Sequence, residues 1–270
     1  MAEPADVQAH WTRPGVLARI DAALTELGHD PQNLSPEILA TVEHPHSGGF
    51  ATTRDQVKRI ALTDDCRVLD VGCGIGGPAR YLAHTYGCHL DGIDLTPELI
   101  ETGRVLTERC KLGDRVALQV GNALDLPYPD QTFDVVWCQN VTMNIPDKAG
   151  FLAGVYRVLK PGGLFTATEY SVGPGGDIIF PVPWAYDASI NFLEPADVMR
   201  TQYHTAGFRI LEWMNYSNKV IEHYERMLSA KLSGRLIFCD DAPERHRNSQ
   251  RNLIEGRTIF WMITAERPKL

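Results

Sequence analysis

The sequence predicts an α/β fold, a doubly wound, seven-stranded and mostly parallel sheet with a helical cap, and three observations carry that reading. A short apolar strand, Arg67 to Val71, runs into a turn with glycine at positions 72, 74, 76 and 77, followed by Pro78, which suits the first turn of a helix. Strand-like segments then alternate with helical ones as far as residue 169, the pattern of a parallel sheet covered on both faces. A chain of 270 residues, 44% hydrophobic and 22% charged, is globular in composition and long enough for one substantial core with an added cap.

Taken in order, residues 1–62 show helical patterning in pieces, broken at Pro14-Gly15, from Gly28 to Pro36 and from His44 to Gly49. They are assigned to an N-terminal cap, whose last helix, Ala51 to Leu62, leads into the first strand. Residues 63–270 form the ligand-binding domain. Its elements read as strand 67–71, helix 78–86, strand 88–93, helix 97–111, strand 115–120, strand 133–138, helix 147–158 and strand 163–169, with a tight turn at Pro161-Gly162-Gly163. The segment from Ser171 to Phe192, rich in Gly, Pro and aromatic residues, breaks the alternation. A helix over 195–206, a strand from Gly207 through Trp213, a charged helical stretch at 217–254 and a final strand after Gly256 complete the chain. Cap insertions are thus expected at about 171–194 and 217–254.

Composition narrows the function. A net charge of −8 argues against nucleic acid as a partner, because phosphate binding requires a basic face. No apolar run approaches the roughly 18 residues of a membrane span, and the acidic, proline-bearing N-terminus has no signal-peptide core, so no membrane partner is expected. The six cysteines (66, 73, 88, 110, 138 and 239) contain no C-x-x-C pair and read as small core residues of a cytoplasmic protein. His44, His46 and His204 lack ligand spacing, so no metal site is expected. A homodimer is left open.

Taken literally, Gly72, Gly74 and Gly77 satisfy the dinucleotide fingerprint G-x-G-x-x-G. Asp70 speaks against it. A carboxylate two residues before the first glycine repels a pyrophosphate but attracts a cation. S-adenosylmethionine (SAM) has a nucleoside, no phosphate, and a methionine end carrying an ammonium and a sulfonium, so Asp70 followed by glycines reads better as a SAM cradle.

The stretch Val68-Leu-Asp-Val-Gly-Cys-Gly-Ile-Gly-Gly-Pro78 resembles the first motif of class I SAM-dependent methyltransferases, and Val158-Leu-Lys-Pro-Gly-Gly resembles that family's landmark before its fifth strand. The resemblance covers about residues 45–215 and is to small-molecule enzymes of the sarcosine/dimethylglycine and ubiquinone-biosynthesis type. It implies a Rossmann-like sheet whose last strand is antiparallel, and a SAM site on Asp70, Gly72, Gly74 and Gly76. Asp94, ending the second strand, is implied to hold the ribose hydroxyls, a place where an acid is also physically apt; capping the next helix is its bland alternative. Leu95 then covers the adenine face. Gly121-Asn122-Ala123 resembles a Gly-Asp-Ala segment at the adenine amino group, with Asn122 departing from the acid, and an amide oxygen still accepts there. Gln139, ending the fourth strand, is implied to touch the methionine end. The segment His46-Ser-Gly48-Gly49-Phe-Ala51-Thr52 resembles a roof over the SAM site and makes His46 a candidate catalytic residue, with a surface loop as the alternative.

Asn140, Met143 and Asn144 are candidates to face the acceptor, although Met143 fits a core and Asn144 a turn cap equally well. Glu169 ends the fifth strand as read and is a candidate to orient or deprotonate the acceptor, or a hydrogen-bonded structural acid. Trp11, Phe180, Trp184, Tyr186, Phe192, Tyr203, Trp213 and Tyr216 supply an aromatic cap, half of it expected to be core, with Trp184 and Trp213 singled out for the acceptor. The expected reaction is in-line methyl transfer from SAM to a specialised small metabolite at carbon or nitrogen. O-methylation of a phenol or quinone, a nicotinamide-dependent oxidoreductase and a catalytically silent SAM-binding subunit are the alternatives.

Overall fold

The computed structural model describes residues 4–269 apart from 13, 45 and 230–240. Seven strands form one sheet: β1 (Arg67–Val71), β2 (His89–Asp94), β3 (Val116–Val120), β4 (Phe133–Gln139), β5 (Leu159–Val172), β6 (Arg209–Asn215) and β7 (Thr258–Glu266), in the order β3-β2-β1-β4-β5-β7-β6. All neighbours run parallel except β7, which is antiparallel to both β5 and β6. Strand order reverses between β1 and β4, and in such sheets the ligand crevice opens beyond the carboxyl ends of the strands at that switch point.

Val68, Leu69 and Val71 are fully buried, because β1 is central and covered on both faces. Asp70 interrupts that run at 2% exposure. The strand passes into helix α5 (Gly77–Tyr86) through Gly72, Gly74 and Gly76, all with φ between 53° and 78°. At Gly72 a side chain would strike Val141, whereas at Gly74 there is open space, so Gly74 is required for its backbone angle alone. The Gly72 and Cys73 N–H groups both donate to the Ile93 carbonyl, at 2.8 and 3.1 Å, tying the loop to the end of β2.

On one side of the sheet α7 (Lys148–Val158) and α8 (Ala196–Thr205) cover a core of Phe133, Phe151, Val155, Phe165, Tyr203 and Phe208. On the other, α5 and α6 (Pro97–Arg109) cover Val68, Leu82, Leu90, Ile100 and Trp137. The N-terminal helices pack at several places on the domain. Helix α1 (Pro4–Trp11) joins a third cluster with Trp184, Tyr170 and Phe260, α2 (Val16–Glu26) and α3 (Pro36–Leu39) pack on α6 and α5, and α4 (Gly49–Val57) contacts β5. Helices α9 (Ser217–Ser229) and α10 (Ala242–Ile254) pack on each other and on β7.

Element by element the sequence reading holds, with shifted edges. The helix before β1 stops at Val57 instead of Leu62. The Pro161-Gly162-Gly163 turn lies inside β5 as a shift of register: Phe133 pairs with Leu159, but Val135 pairs with Leu164, with Gly162 at φ 83°. The centre of the helical stretch expected at 217–254, including Cys239, lies outside the described residues. Among the described residues no helix is long and apolar enough to cross a membrane, and no group of three or more His, Cys, Asp or Glu is placed to hold a metal ion.

Candidate active site

A cavity of about 880 Å³ opens beyond the carboxyl ends of β1, β2, β3 and β4. Asp70, Gly72, Gly74, Asp94, Leu95, Asn122, Ala123 and Gln139 all line it, as do His46, Asn140, Met143 and Trp184. Gly76 lies one residue behind the wall, where it caps α5 at φ 78°.

Asp70 accepts no hydrogen bond at Oδ2, although the atom is buried. Burial, and secondarily the charge of Asp94, pushes its carboxyl up to about 8. A buried carboxylate without a partner is costly, and a cation in the cavity would supply one. Across the switch point, Gln139 accepts from Thr53 Oγ1 through Oε1 at 3.3 Å, leaving Nε2 buried and unpartnered. The pair presents one free acceptor and one free donor, which are the complements of an amino acid's ammonium and carboxylate.

Asp94 bonds the start of the next helix and also lines the cavity. Its Oδ2 accepts from the Gly74 N–H and its Oδ1 from the Thr96 N–H, both at 2.9 Å, so it ties the glycine loop to the start of α6 while still lining the cavity. Burial raises its pKa, partly offset by those two N–H groups. Asn122 Oδ1 accepts from the Leu124 N–H at 2.9 Å, closing a short turn, and a carbonyl oxygen retains a second lone pair. Asn140, at φ 57°, leaves both side-chain polar atoms buried and unpartnered against the cavity.

The roof segment is part of the site. His46 Nε2 lies 3.1 Å from both the Gly49 carbonyl and Thr53 Oγ1. A carbonyl can only accept, so the proton sits on Nε2 and Nδ1 carries the ring's lone pair. Burial lowers its pKa to about 4, which keeps the ring neutral near pH 7. The roof is held by a buried ion pair between Glu43 and Arg80, and Gly77 lies so close beneath it that a side chain there would meet the Glu43 carbonyl at 2.9 Å.

Two expected site residues lie elsewhere. Glu169 is not at the end of β5, which runs on to Val172, and it does not line the cavity. Side chains alternate along a strand, so Glu169 shares its face with Phe165 and Ala167, toward α7 and α8. There it accepts from Thr142 Oγ1 at 2.5 Å and from Cys138 Sγ at 3.7 Å, and burial, opposed by Thr142 and by the charge of Lys148, sets its pKa at about 7. Trp213 is on the edge strand β6 and packs against Tyr203, Trp261 and the guanidinium of Arg200. Asn144 is spent structurally, donating to the Trp184 and Ile190 carbonyls and accepting from Trp11 Nε1 at 3.0 Å. Of the aromatic cap, Trp11 and Trp184 reach the cavity, whereas Phe180 and Tyr216 belong to the cluster behind it.

The cavity also takes residues that the sequence did not single out: Ser47, His223, Tyr224, Met227, Arg245 and His246. Ser47 lies inside the roof motif at 46–52, and Tyr224 and Met227 fall with Val220 on a stripe at helical spacing on α9. Tyr170, Ser47 and Tyr224 form a hydroxyl chain at this wall, with Tyr170 donating to Ser47 at 2.8 Å and Ser47 lying 3.1 Å from Tyr224.

A family profile described as "Methyltransferase domain" matches residues 69–167. The chain is 47% identical over 141 residues to the probable tocopherol O-methyltransferase, chloroplastic, of Oryza sativa subsp. japonica, covering 44% of this chain and 39% of that protein. It is 31% identical over 225 residues to the glycine/sarcosine/dimethylglycine N-methyltransferase of Actinopolyspora halophila, covering 80% of this chain and 40% of the relative. The match thus spans about two-fifths of each relative's length. Geranyl diphosphate C-methyltransferase from Streptomyces coelicolor A3(2), solved with Mg²⁺, geranyl-S-thiolodiphosphate and S-adenosyl-L-homocysteine, superposes with a TM-score of 0.74 at 17% identity, over 98% of this chain and 97% of that one, a likeness of fold. The glycine loop after β1, the acids at the ends of β1 and β2, the antiparallel β7 and the matched profile agree, and residues 69–167 of the chain form a methyltransferase domain.

Proposed function

We propose that this chain transfers the methyl group of SAM to a small-molecule acceptor, at carbon or nitrogen, inside the 880 Å³ cavity. The observation that carries the reading is Asp70, a buried carboxylate with an unpartnered oxygen at the switch point of the sheet. Bound SAM supplies a methyl already activated on a sulfonium, so the protein's work is to hold donor and acceptor in line and dry. Asp70 and Gln139 take the ammonium and carboxylate of the methionine end, Asp94 the ribose hydroxyls, Leu95 the adenine face, and Asn122 with Ala123 the adenine edge. Trp11, Met143 and Trp184 give the acceptor an apolar bed, with Asn140 offering it one donor and one acceptor. Residues 1–62 and the two insertions serve as the cap that closes this space.

With Glu169 turned away from the cavity, His46 is the group that receives a proton if the acceptor must lose one, through Nδ1. That base also gives the O-methylation of a phenol its specific support. The test is incubation with methyl-labelled SAM and a panel of amines, phenols, indoles and isoprenoid compounds, with products located by mass spectrometry. Label on a carbon or nitrogen is expected; label only on oxygen replaces the first reading by the second, and SAM binding without transfer to any member counts against both.

A further inference from the structure

The cavity is electrically two-ended. Asp70 and Asp94 lie at the strand ends, and among its described lining residues the single Lys or Arg is Arg245, on α10 at the cap. Its side chain is 1% exposed. Nε donates to Asp241 Oδ2 at 2.9 Å, and Nη1 lies 3.4 Å from both His10 Nε2 and the Pro183 carbonyl. The guanidinium carbon sits 3.9 Å over the ring of Tyr186. A guanidinium has five N–H groups; His10 Nε2 donates to the Pro183 carbonyl and so cannot accept from Nη1, which leaves these contacts accounting for two. Both hydrogens of Nη2 are unspent, in a buried atom with no partner.

Taking a guanidinium out of water and leaving one of its amino groups unbonded is unfavourable, and the arrangement recovers that loss only when an acceptor reaches it. The neighbours leave little choice of acceptor. Among the described residues the titratable groups in contact with Arg245 include Asp241, already on Nε, Tyr186, whose ring lies under the guanidinium, and His10, whose Nε2 donates to the Pro183 carbonyl at 3.0 Å. The same cavity is also lined by Trp11, Trp184 and Met227, which offer apolar surface.

Resting on the methyltransferase reading of this cavity, we infer that the acceptor carries an anionic oxygen group, a carboxylate or phosphate, that docks on Nη2 of Arg245, with its apolar body against Trp11 and Trp184 and its methyl-receiving atom toward the Asp70 end. The group is a handle and not the reacting centre. It fixes which end of the acceptor points at the strand ends and excludes neutral molecules of the same shape.

The test is titration calorimetry of the full chain, with and without S-adenosyl-L-homocysteine, using matched pairs: cinnamate against cinnamamide, decanoate against decanamide, and geranyl phosphate against geraniol. Wild type is expected to bind the anion of at least one pair about tenfold or more tighter than its neutral partner. Arg245→Gln should erase that preference and Arg245→Lys retain part of it. Equal binding within every pair by wild type overturns the inference, as does a preference that survives in Arg245→Gln. The wild-type comparison needs no variant, so it stands even if Arg245→Gln does not fold. S-adenosyl-L-homocysteine binding without anion preference sinks the Arg245 handle alone; anion preference without S-adenosyl-L-homocysteine binding sinks the cofactor reading instead.

Discussion

Asp70 and Glu169 look alike in the sequence, each an acid late in an apolar strand, yet the structure surrounds them differently. Asp70 lines the cavity and keeps one buried oxygen without a partner, whereas Glu169 faces α7 and α8 and is bonded to Thr142. The difference is one of register. Glu169 falls on the same alternating face as Phe165 and Ala167, toward α7 and α8, and β5 runs three residues past the end that its apolar pattern suggested, so Glu169 also lies short of the strand end. Glu169 therefore belongs to stability. Its folded pKa of about 7 lies above the usual carboxylate value, so its contribution is full at acid pH and is lost as pH rises through about 7. Glu169→Gln removes that dependence. Denaturant melts should show the variant gaining on wild type as pH climbs from 5 to 8, with turnover per folded molecule unchanged to within about twofold. A variant that loses ground with rising pH, or turnover that collapses, restores the residue to the active site.

At the scale of elements, the strands and helices of the sheet were legible because periodicity and glycine punctuation are local. The roof was legible only as a motif. What holds it is tertiary: the carboxylate of Glu43 and the guanidinium of Arg80, both fully buried, with Arg80 Nη1 also donating to the Gly103 carbonyl and Thr107 Oγ1 at 3.1 Å. Burial raises the Glu43 pKa, and Arg80 opposes the rise. No spacing rule links positions 43 and 80, which is why sequence reasoning passed over them. Arg80→Met strands a buried carboxylate and should cost about 3–5 kcal/mol by denaturant unfolding. A loss under about 1 kcal/mol would mean that the roof is held by its apolar contacts alone.

For the whole molecule, the cofactor end of the cavity is built from strand ends that one motif after another announces, whereas the far end is assembled from α1, the loop after β5, α9 and α10, brought together only by folding. Arg245 was invisible for that reason. Removing residues 1–12, and with them α1 and Trp11, should lower methyl transfer at least about tenfold while changing SAM affinity much less, since Asp70, Asp94 and Gln139 keep their settings. An equal loss of both would make α1 part of the cofactor site. The central claim, a cationic nucleoside held at Asp70, is tested most directly by calorimetric titration of SAM at pH 7 in two buffers of different ionisation heat, on wild type and Asp70→Asn, with NAD as the competing ligand. With its carboxyl pushed up to about 8, Asp70 is mostly protonated in the free protein at pH 7 and must ionise to meet the cation. SAM is expected to bind with release of roughly one proton, Asp70→Asn to lose at least about tenfold in affinity together with that proton, and NAD to give no heat. NAD binding in place of SAM, or SAM affinity and proton release unchanged in Asp70→Asn, would contradict it.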